Sequence, residues 1–290
     1  MSEIRYEAPK TLKAAIALLS GSGGRARVLA GGTDLLIQMR SGRVEPELLV
    51  DIKGIPELRA IVAKGGRFRF GAAVPCMELI EHEGLAKTWP GVIDAVTLIG
   101  SIQVKGRASV GGNVCNASPA ADSVPALIAA SATVTIAGPG GKREAPVEEV
   151  AAGPGKTTLA AGEILTSFLL PRRAARSGGA YLRFTPRTEM DIAVVGVGVN
   201  LTLDRKGVCT QARVSLGAVA ERALLVPEAA AELIGTRADA AALERLGAAA
   251  SAACRPIDDK RGTREFRIKV AGVMAQRAAQ IALARARRKD

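Results

Sequence analysis

Apolar and polar positions alternate along this chain in two distinct regimes. The first half reads as helices and short strands joined by glycine turns. Residues 11–20 (TLKAAIALLS) have helical spacing and run into a glycine loop at 21–24, and 27–30 form a short apolar strand that ends in Gly31-Gly32. Thr33 and Asp34 are N-cap types, 35–40 continue as a helix, and Ser41-Gly42 close it. Strand character returns at 48–52 and in the alternation of 67–72. Residues 90–98 read as a helix leading through 99–103 to a second glycine turn, Ser109-Val110-Gly111-Gly112-Asn113. The run 116–119 has turn chemistry, Asp122 and Ser123 open an alanine-rich helix to about 130, and 133–137 with the turn at 138–141 predict a hairpin.

A polar, glycine-containing break at 171–179 marks a boundary, after which the pattern changes. Long strands are expected at 181–184, 193–203 and 212–220, an antiparallel sheet, followed by helices at 228–234, 239–254 and 263 to about 285. In the last helix Phe266, Val270, Val273, Met274 and Ile281 form a helical stripe expected to be core. No internal repeat is present. A chain of 290 residues is long for one core, so two domains are expected: 1–175, with subdomains of about 1–57 and 58–175, and 176–290. The fold class is α+β.

Composition removes several function classes. Hydrophobic content of 48% with 23% charged residues is that of a folded protein. No apolar run reaches the roughly 18 residues of a membrane span, and Met1-Ser2-Glu3-Ile4-Arg5 opens without an apolar signal core, so a cytoplasmic location is expected. A net charge of +12 raises the question of nucleic acid, but the cations are scattered, with one dense run at Arg285-Ala286-Arg287-Arg288-Lys289, and aromatics amount to 3%. No nucleic acid is expected. Cys76, Cys115, Cys209 and Cys254 are widely spaced, which argues against metal or cluster ligation within the chain. His82 is the single histidine and sits in an acidic, helix-like stretch, where an exposed position is expected. With no further histidine, neither a Ser-His-Asp triad nor a His-ligated metal is expected, and a bound cofactor is expected to carry any chemistry.

The two glycine turns are the candidate cofactor cradle, because bare amides at such turns can face phosphate oxygens. Two such turns suit one large anionic ligand with a diphosphate. Neither matches the G-x-G-x-x-G spacing of a Rossmann turn. Gly153-Pro154-Gly155-Lys156-Thr157 ends like a P-loop, yet Val150 stands where its first glycine belongs.

Taken together, Leu29 to Leu35, Gln103 to Asn113 and Asn116 to Asp122 resemble the medium, FAD-binding subunit of molybdenum hydroxylases, the xanthine and carbon monoxide dehydrogenase relatives. The resemblance continues through Glu163-Ile164-Leu165, Tyr181 to Phe184 with Arg187, Asp191 to Ala193 and Asp258 to Gly262, and so covers essentially the whole chain. It implies a two-subdomain FAD-binding domain of the vanillyl-alcohol-oxidase (PCMH) type, followed by an α+β C-terminal domain with an antiparallel sheet and helices. It places non-covalent FAD, its diphosphate wrapped by Leu29, Ala30, Gly31, Gly32, Thr33, Asp34, Leu35 and by Ser109, Val110, Gly111, Gly112 and Asn113. Ser118 and Asp122 would approach the ribityl and nucleotide portion, Leu165 would pack near the flavin and adenine region, and Arg183 would lie close to the isoalloxazine. The family pattern has Arg-Asn where this chain has Lys105-Gly106, and Thr where it has Ser109. Benzoyl-CoA reductase relatives carry a cysteine-rich insert that this chain lacks.

The function implied is electron transfer within a larger complex. Molybdopterin would reside on a large partner subunit and two [2Fe-2S] clusters on a small one, in a dimer of heterotrimers. The flavin would pass electrons to NAD+, a quinone or oxygen. A self-contained flavin oxidase of the same fold is the alternative, though it would need acid-base residues of its own.

Overall fold

The computed structural model describes residues 4–188 and 191–288; residues 1–3 of the N-terminal segment and Lys289 of the basic run lie outside the described residues. A small parallel sheet comes first, from β1 (Arg5–Glu7), β2 (Ala26–Leu29) and β3 (Leu48–Asp51), in the order β1-β3-β2. Helix α1 (Leu12–Gly21) connects β1 to β2, and α2 (Leu35–Arg40) connects β2 to β3. The start of α1 is fixed by Thr11, whose hydroxyl accepts the Ala14 N–H at 3.2 Å. Its buried residues Leu12, Ala15 and Leu19 recur at helical spacing and share a core with Val50 of β3.

The second sheet is antiparallel. It holds β4 (Ile61–Lys64), β5 (Arg67–Gly71), β6 (Thr133–Gly138), β7 (Gly141–Pro146) and, beyond a ribbon of β8 (Ala151–Gly153) and β9 (Lys156–Thr157), β10 (Ile164–Leu170). The order is β4-β5-β10-β6-β7, so the apolar run ILTSFLL becomes the central strand. Between β5 and β6 the chain inserts α3 (Cys76–Ile80), α4 (Glu83–Thr88), α5 (Pro90–Thr97), α6 (Ile102–Lys105), α7 (Val110–Cys115) and α8 (Ser123–Ala129). These helices close a core in which Phe70 and Phe168 stack with ring centroids 5.0 Å apart. Ala137 and Ile164 of the second sheet pack instead with Leu12, Ile55 and Leu58, which joins the two sheets.

The P-loop-like run at 153–157 is the tight turn of the β8–β9 ribbon, with Gly155 at φ +69°. His82 is not an exposed helix residue: it is half-buried, caps α4 by accepting the Leu85 N–H on Nδ1 at 3.1 Å, and meets Phe68 edge-on.

The C-terminal domain has a four-stranded antiparallel sheet of β11 (Ser177–Phe184), β12 (Val195–Leu203), β13 (Cys209–Gly217) and β14 (Leu224–Leu225), in that order. Its helices are α9 (Pro227–Ala231), α10 (Ala240–Ala253) and α11 (Arg264–Arg287). Strand β11 starts inside the expected polar break, because Gly178 serves close packing rather than a turn. A Cβ at Gly178 would overlap the Ala282 carbonyl of α11. The same closeness corrects the expected core stripe of α11. Phe266 and Val273 are each 40% exposed, and the buried face is mainly Ala271, Ala275, Ala278, Ala279, Ala282 and Ala286, because only small side chains fit so near a strand.

A surface pair gives an acid-stability prediction. Arg143 of β7 grips both carboxylate oxygens of Glu163 at 2.8 Å, and Glu163 also accepts the Ala160 N–H. The Arg143 hydrogen bonds hold the Glu163 carboxyl down to about 2 against an ordinary 4.5. A depressed folded-state pKa stabilises the fold above the unfolded value, and this contribution disappears as pH falls from about 4.5 to about 2. Arg143 is 43% exposed, so screening limits the gain to about 1 kcal/mol or less. Urea melts of Glu163→Gln and the parent should therefore differ at pH 6 and converge near pH 2; an equal difference at both values would refute this assignment.

Candidate functional site

Strand β2 ends at Leu29, and the chain turns at the carboxyl end of the parallel sheet, the edge where open α/β sheets present backbone to ligands. Gly31 then lies against the backbone of Arg107 and Ala108, so closely that a Cβ would overlap the Arg107 carbonyl. Two turns remote in sequence are thus in contact, and only glycine permits it. The next residue, Gly32, has φ +77°, a left-handed conformation in which side chains are strained. The N–H groups of Gly31, Gly32, Thr33 and Asp34 have no acceptor among the described residues. Four successive free donors around a left-handed residue form a concave site for an anion.

Leu35 begins α2, in which no residue is buried; Leu36 is 43% and Ile37 65% exposed. Asp34 occupies the N-cap position of this helix, yet its carboxylate makes no capping hydrogen bond. The side chain reaches solvent, but the packed surroundings withdraw enough water to raise its pKa above the ordinary value.

The second turn is built differently. Ser109 caps α7, its Oγ accepting the Gly112 N–H at 3.1 Å, while Gly111 donates to the Ala72 carbonyl at 3.2 Å. Gly111 has no room for a Cβ against Ala72. Val110 and Gly111 are buried, and the glycines here serve close packing within the chain. The first turn therefore supplies the donors and the second forms a wall beside them. Gln38 of α2 donates to Asn116 Oδ1 at 2.9 Å and ties the two turns together at their far ends.

Behind the wall a hydrogen-bonded chain leads into the C-terminal domain. Asn113 Oδ1 accepts from the Ser123 hydroxyl at 2.6 Å and from its N–H at 3.3 Å. Asp122, next in sequence to Ser123, accepts the Tyr181 hydroxyl on Oδ1 at 2.8 Å and the Arg183 guanidinium on Oδ2 at 2.8 Å. Arg183 donates also to the Leu98 carbonyl at 3.0 Å, and the side chains of the pair are 7% and 10% exposed. Burial raises the Asp122 carboxyl above its usual range, with the charge of Arg183 and the two donors opposing the shift. Burial also holds the Tyr181 hydroxyl well above its usual value.

Ser118 lies in the turn between α7 and α8, its Oγ accepting the Ala120 N–H at 3.2 Å. Leu165 is 3% exposed, paired with Ile136 at a bulge in β10, within the core of the second sheet. The connected region thus runs from the Leu29–Leu35 turn through Ser109–Asn113 to Asp122 and Arg183, with Ser118 beside it and Leu165 in the neighbouring core. Sequence reasoning gave Gln38, Asn116, Ser123 and Tyr181 no role in the site, although Asn116 and Tyr181 lie in runs that carry the family resemblance. The one available signal was a tyrosine placed among apolar strand positions, since a buried hydroxyl needs a partner.

Among the described residues no group of three or more His, Cys, Asp or Glu could hold a metal. Cys115, the last residue of α7, is half-buried, and packing around its sulfur pushes the thiol up to about 12. Among the described residues no helix is long and apolar enough to cross a membrane.

Residues 2–173 match the family described as the FAD binding domain in molybdopterin dehydrogenase, and residues 180–282 match the CO dehydrogenase flavoprotein C-terminal domain. The carbon monoxide dehydrogenase medium chain of Afipia carboxidovorans is 35% identical, over 97% of each chain. The xanthine dehydrogenase FAD-binding subunit of Escherichia coli O157:H7 is 30% identical, over 97% of this chain and 96% of that one. Among solved structures, reconstituted CO dehydrogenase from Oligotropha carboxidovorans includes a chain with TM-score 0.94 and 33% identity, covering 98% of this chain and 99% of that one.

Proposed function

Because this chain belongs to the family of FAD-binding medium subunits of molybdenum hydroxylases, we propose that it is the flavin-carrying electron-transfer unit of such a complex, with FAD held across the two touching turns. The observation that carries this reading is the run of four unpaired N–H groups at Gly31 to Asp34. They donate to the diphosphate, while Ser109 to Asn113 set the opposite wall. Asp122 has lone pairs left after accepting from Tyr181 and Arg183 and can take a ribityl or ribose hydroxyl. Arg183 places a cation beside the ring system, where it favours negative charge on the flavin electrostatically. Ser118 and Leu165 complete the site at the nucleotide side.

FAD bound there supplies one- and two-electron chemistry between [2Fe-2S] clusters on a small partner subunit and an external acceptor, NAD+, a quinone or oxygen. Molybdopterin is assigned to a large partner subunit that oxidises the substrate, and the assembly to a dimer of heterotrimers in the cytoplasm. The division at about residue 175, with a further one near 57, separates the units that clasp the cofactor from the domain that braces them.

The test is reconstitution. The chain purified alone should be yellow, bind one FAD, and show no turnover of the substrate that the complex hydroxylates. Turnover should appear only when a molybdopterin subunit and an iron–sulfur subunit are added. Full turnover by the isolated chain would overturn the assignment.

A further inference from the structure

We infer that Tyr181 and Ser123 are positioning residues through which the C-terminal sheet sets the geometry of the flavin site. The inference rests on the cradle reading above. Tyr181 is 2% exposed, and its ring packs with Ala95 and Ala126 between the domains, a place a phenylalanine would fill equally well. Its hydroxyl goes instead to Asp122, 2.8 Å away. Room for that hydroxyl exists because Gly196 on the neighbouring strand has no side chain; a Cβ there would stand 2.5 Å from the oxygen. Burying a hydroxyl is costly unless it is paired, so this arrangement is specific to orienting Asp122 rather than to filling space.

Ser123 performs the matching task one residue on. It is fully buried at the start of α8, and its hydroxyl holds the Asn113 amide oxygen at 2.6 Å. Asn113 stands in the first turns of α7, on the wall of the cradle. The path Tyr181, Asp122, Ser123, Asn113 therefore crosses from β11 through α8 to α7 without leaving protein. Strand β11 is itself fixed, since the Tyr181 N–H donates to Asp94 at 3.2 Å, and Asp94 is gripped by both terminal nitrogens of Arg285 from α11. Such a path transmits position, because each member has one partner arrangement that satisfies it.

The experiment uses the 290-residue chain with Tyr181→Phe, Ser123→Ala and the double variant. FAD dissociation constants and the visible flavin spectrum are measured, together with unfolding midpoints with and without FAD. Each single variant is expected to weaken FAD about tenfold, in keeping with one hydrogen bond to a charged or strongly polar partner. The double variant should lose less than the product of the two, because both act along one path. FAD should then raise the unfolding midpoint less than it does in the parent. Unchanged FAD affinity with equal falls in both midpoints would show that the two hydroxyls only stabilise the fold, and would overturn the inference. Gly32→Asp serves as the separate control: FAD retention there refutes the cradle itself, whereas its loss there with full affinity in Tyr181→Phe and Ser123→Ala refutes only the positioning role. Should one single variant fail to fold, the other carries the same comparison.

Discussion

Gly32→Asp is expected to strip the flavin from this chain while leaving a folded protein. Gly32 has φ +77°, and aspartate is among the few residues that enter the left-handed region at modest cost. A Cβ would meet only the flexible ends of Leu29 and Leu36, each at 3.1 Å, so the backbone need not move. The penalty falls on binding. A carboxylate placed about 4 Å from a phosphate oxygen costs about 4 kcal/mol at the effective dielectric near a protein surface, or roughly a thousandfold in affinity. Gly32→Ala shares the backbone strain without the charge and should lose about tenfold at most. Absorbance of the purified variants separates the two: a colourless Gly32→Asp beside a yellow Gly32→Ala identifies electrostatic exclusion. Stoichiometric FAD in Gly32→Asp would place the diphosphate elsewhere.

Asp122→Ala should be the most damaging single change to the fold. It removes the acceptor for Arg183 and Tyr181 together and leaves a guanidinium that is 7% exposed without its counter-charge. Breaking a buried pair from one side costs about 3–5 kcal/mol, which for a unit of this size lowers the melting midpoint by about 10 °C. Most of that loss comes from the stranded cation rather than from the missing attraction. Adding Arg183→Met to Asp122→Ala should therefore restore a good part of the stability, although three hydrogen bonds are now gone. Urea midpoints of the three variants decide the matter. A loss below about 1 kcal/mol in Asp122→Ala, or a double variant worse than the single, would contradict the account.

Several elements were legible in the sequence for clear reasons. Helix α2 was read at its observed bounds because Thr33-Asp34 and Ser41-Gly42 punctuate both ends. The β6–β7 hairpin followed from its Pro-Gly-Gly turn. The α+β class and the antiparallel C-terminal sheet followed from the change of period after the middle of the chain. Other features depend on tertiary contact and leave no local trace. The alanine face of α11 reverses the usual rule that large apolar residues mark the buried side, because Gly178 of β11 brings strand and helix too close for anything larger. Gly31 reads as a turn glycine, while its actual constraint is a carbonyl about eighty positions downstream. Asp122 reads as a helix cap, yet its carboxylate makes no capping bond and turns toward the second domain.

The join between the domains has a consequence for building chimaeras. Gly91 meets the backbone of Gly179 and Ala180, and Gly198 and Gly217 both close on Pro125, so the contact is largely main chain on main chain or on a proline ring. At those close approaches there is no side chain to adapt, and one methyl added at Gly91, Gly198 or Gly217 forces the halves apart. A C-terminal domain grafted from a relative will seat only if it brings glycine at the positions of 198 and 217 together with a recipient that keeps Gly91 and Pro125. Beyond those four places, the graft must also bring Tyr181, Arg183 and Arg285, whose partners Asp122 and Asp94 lie in the recipient.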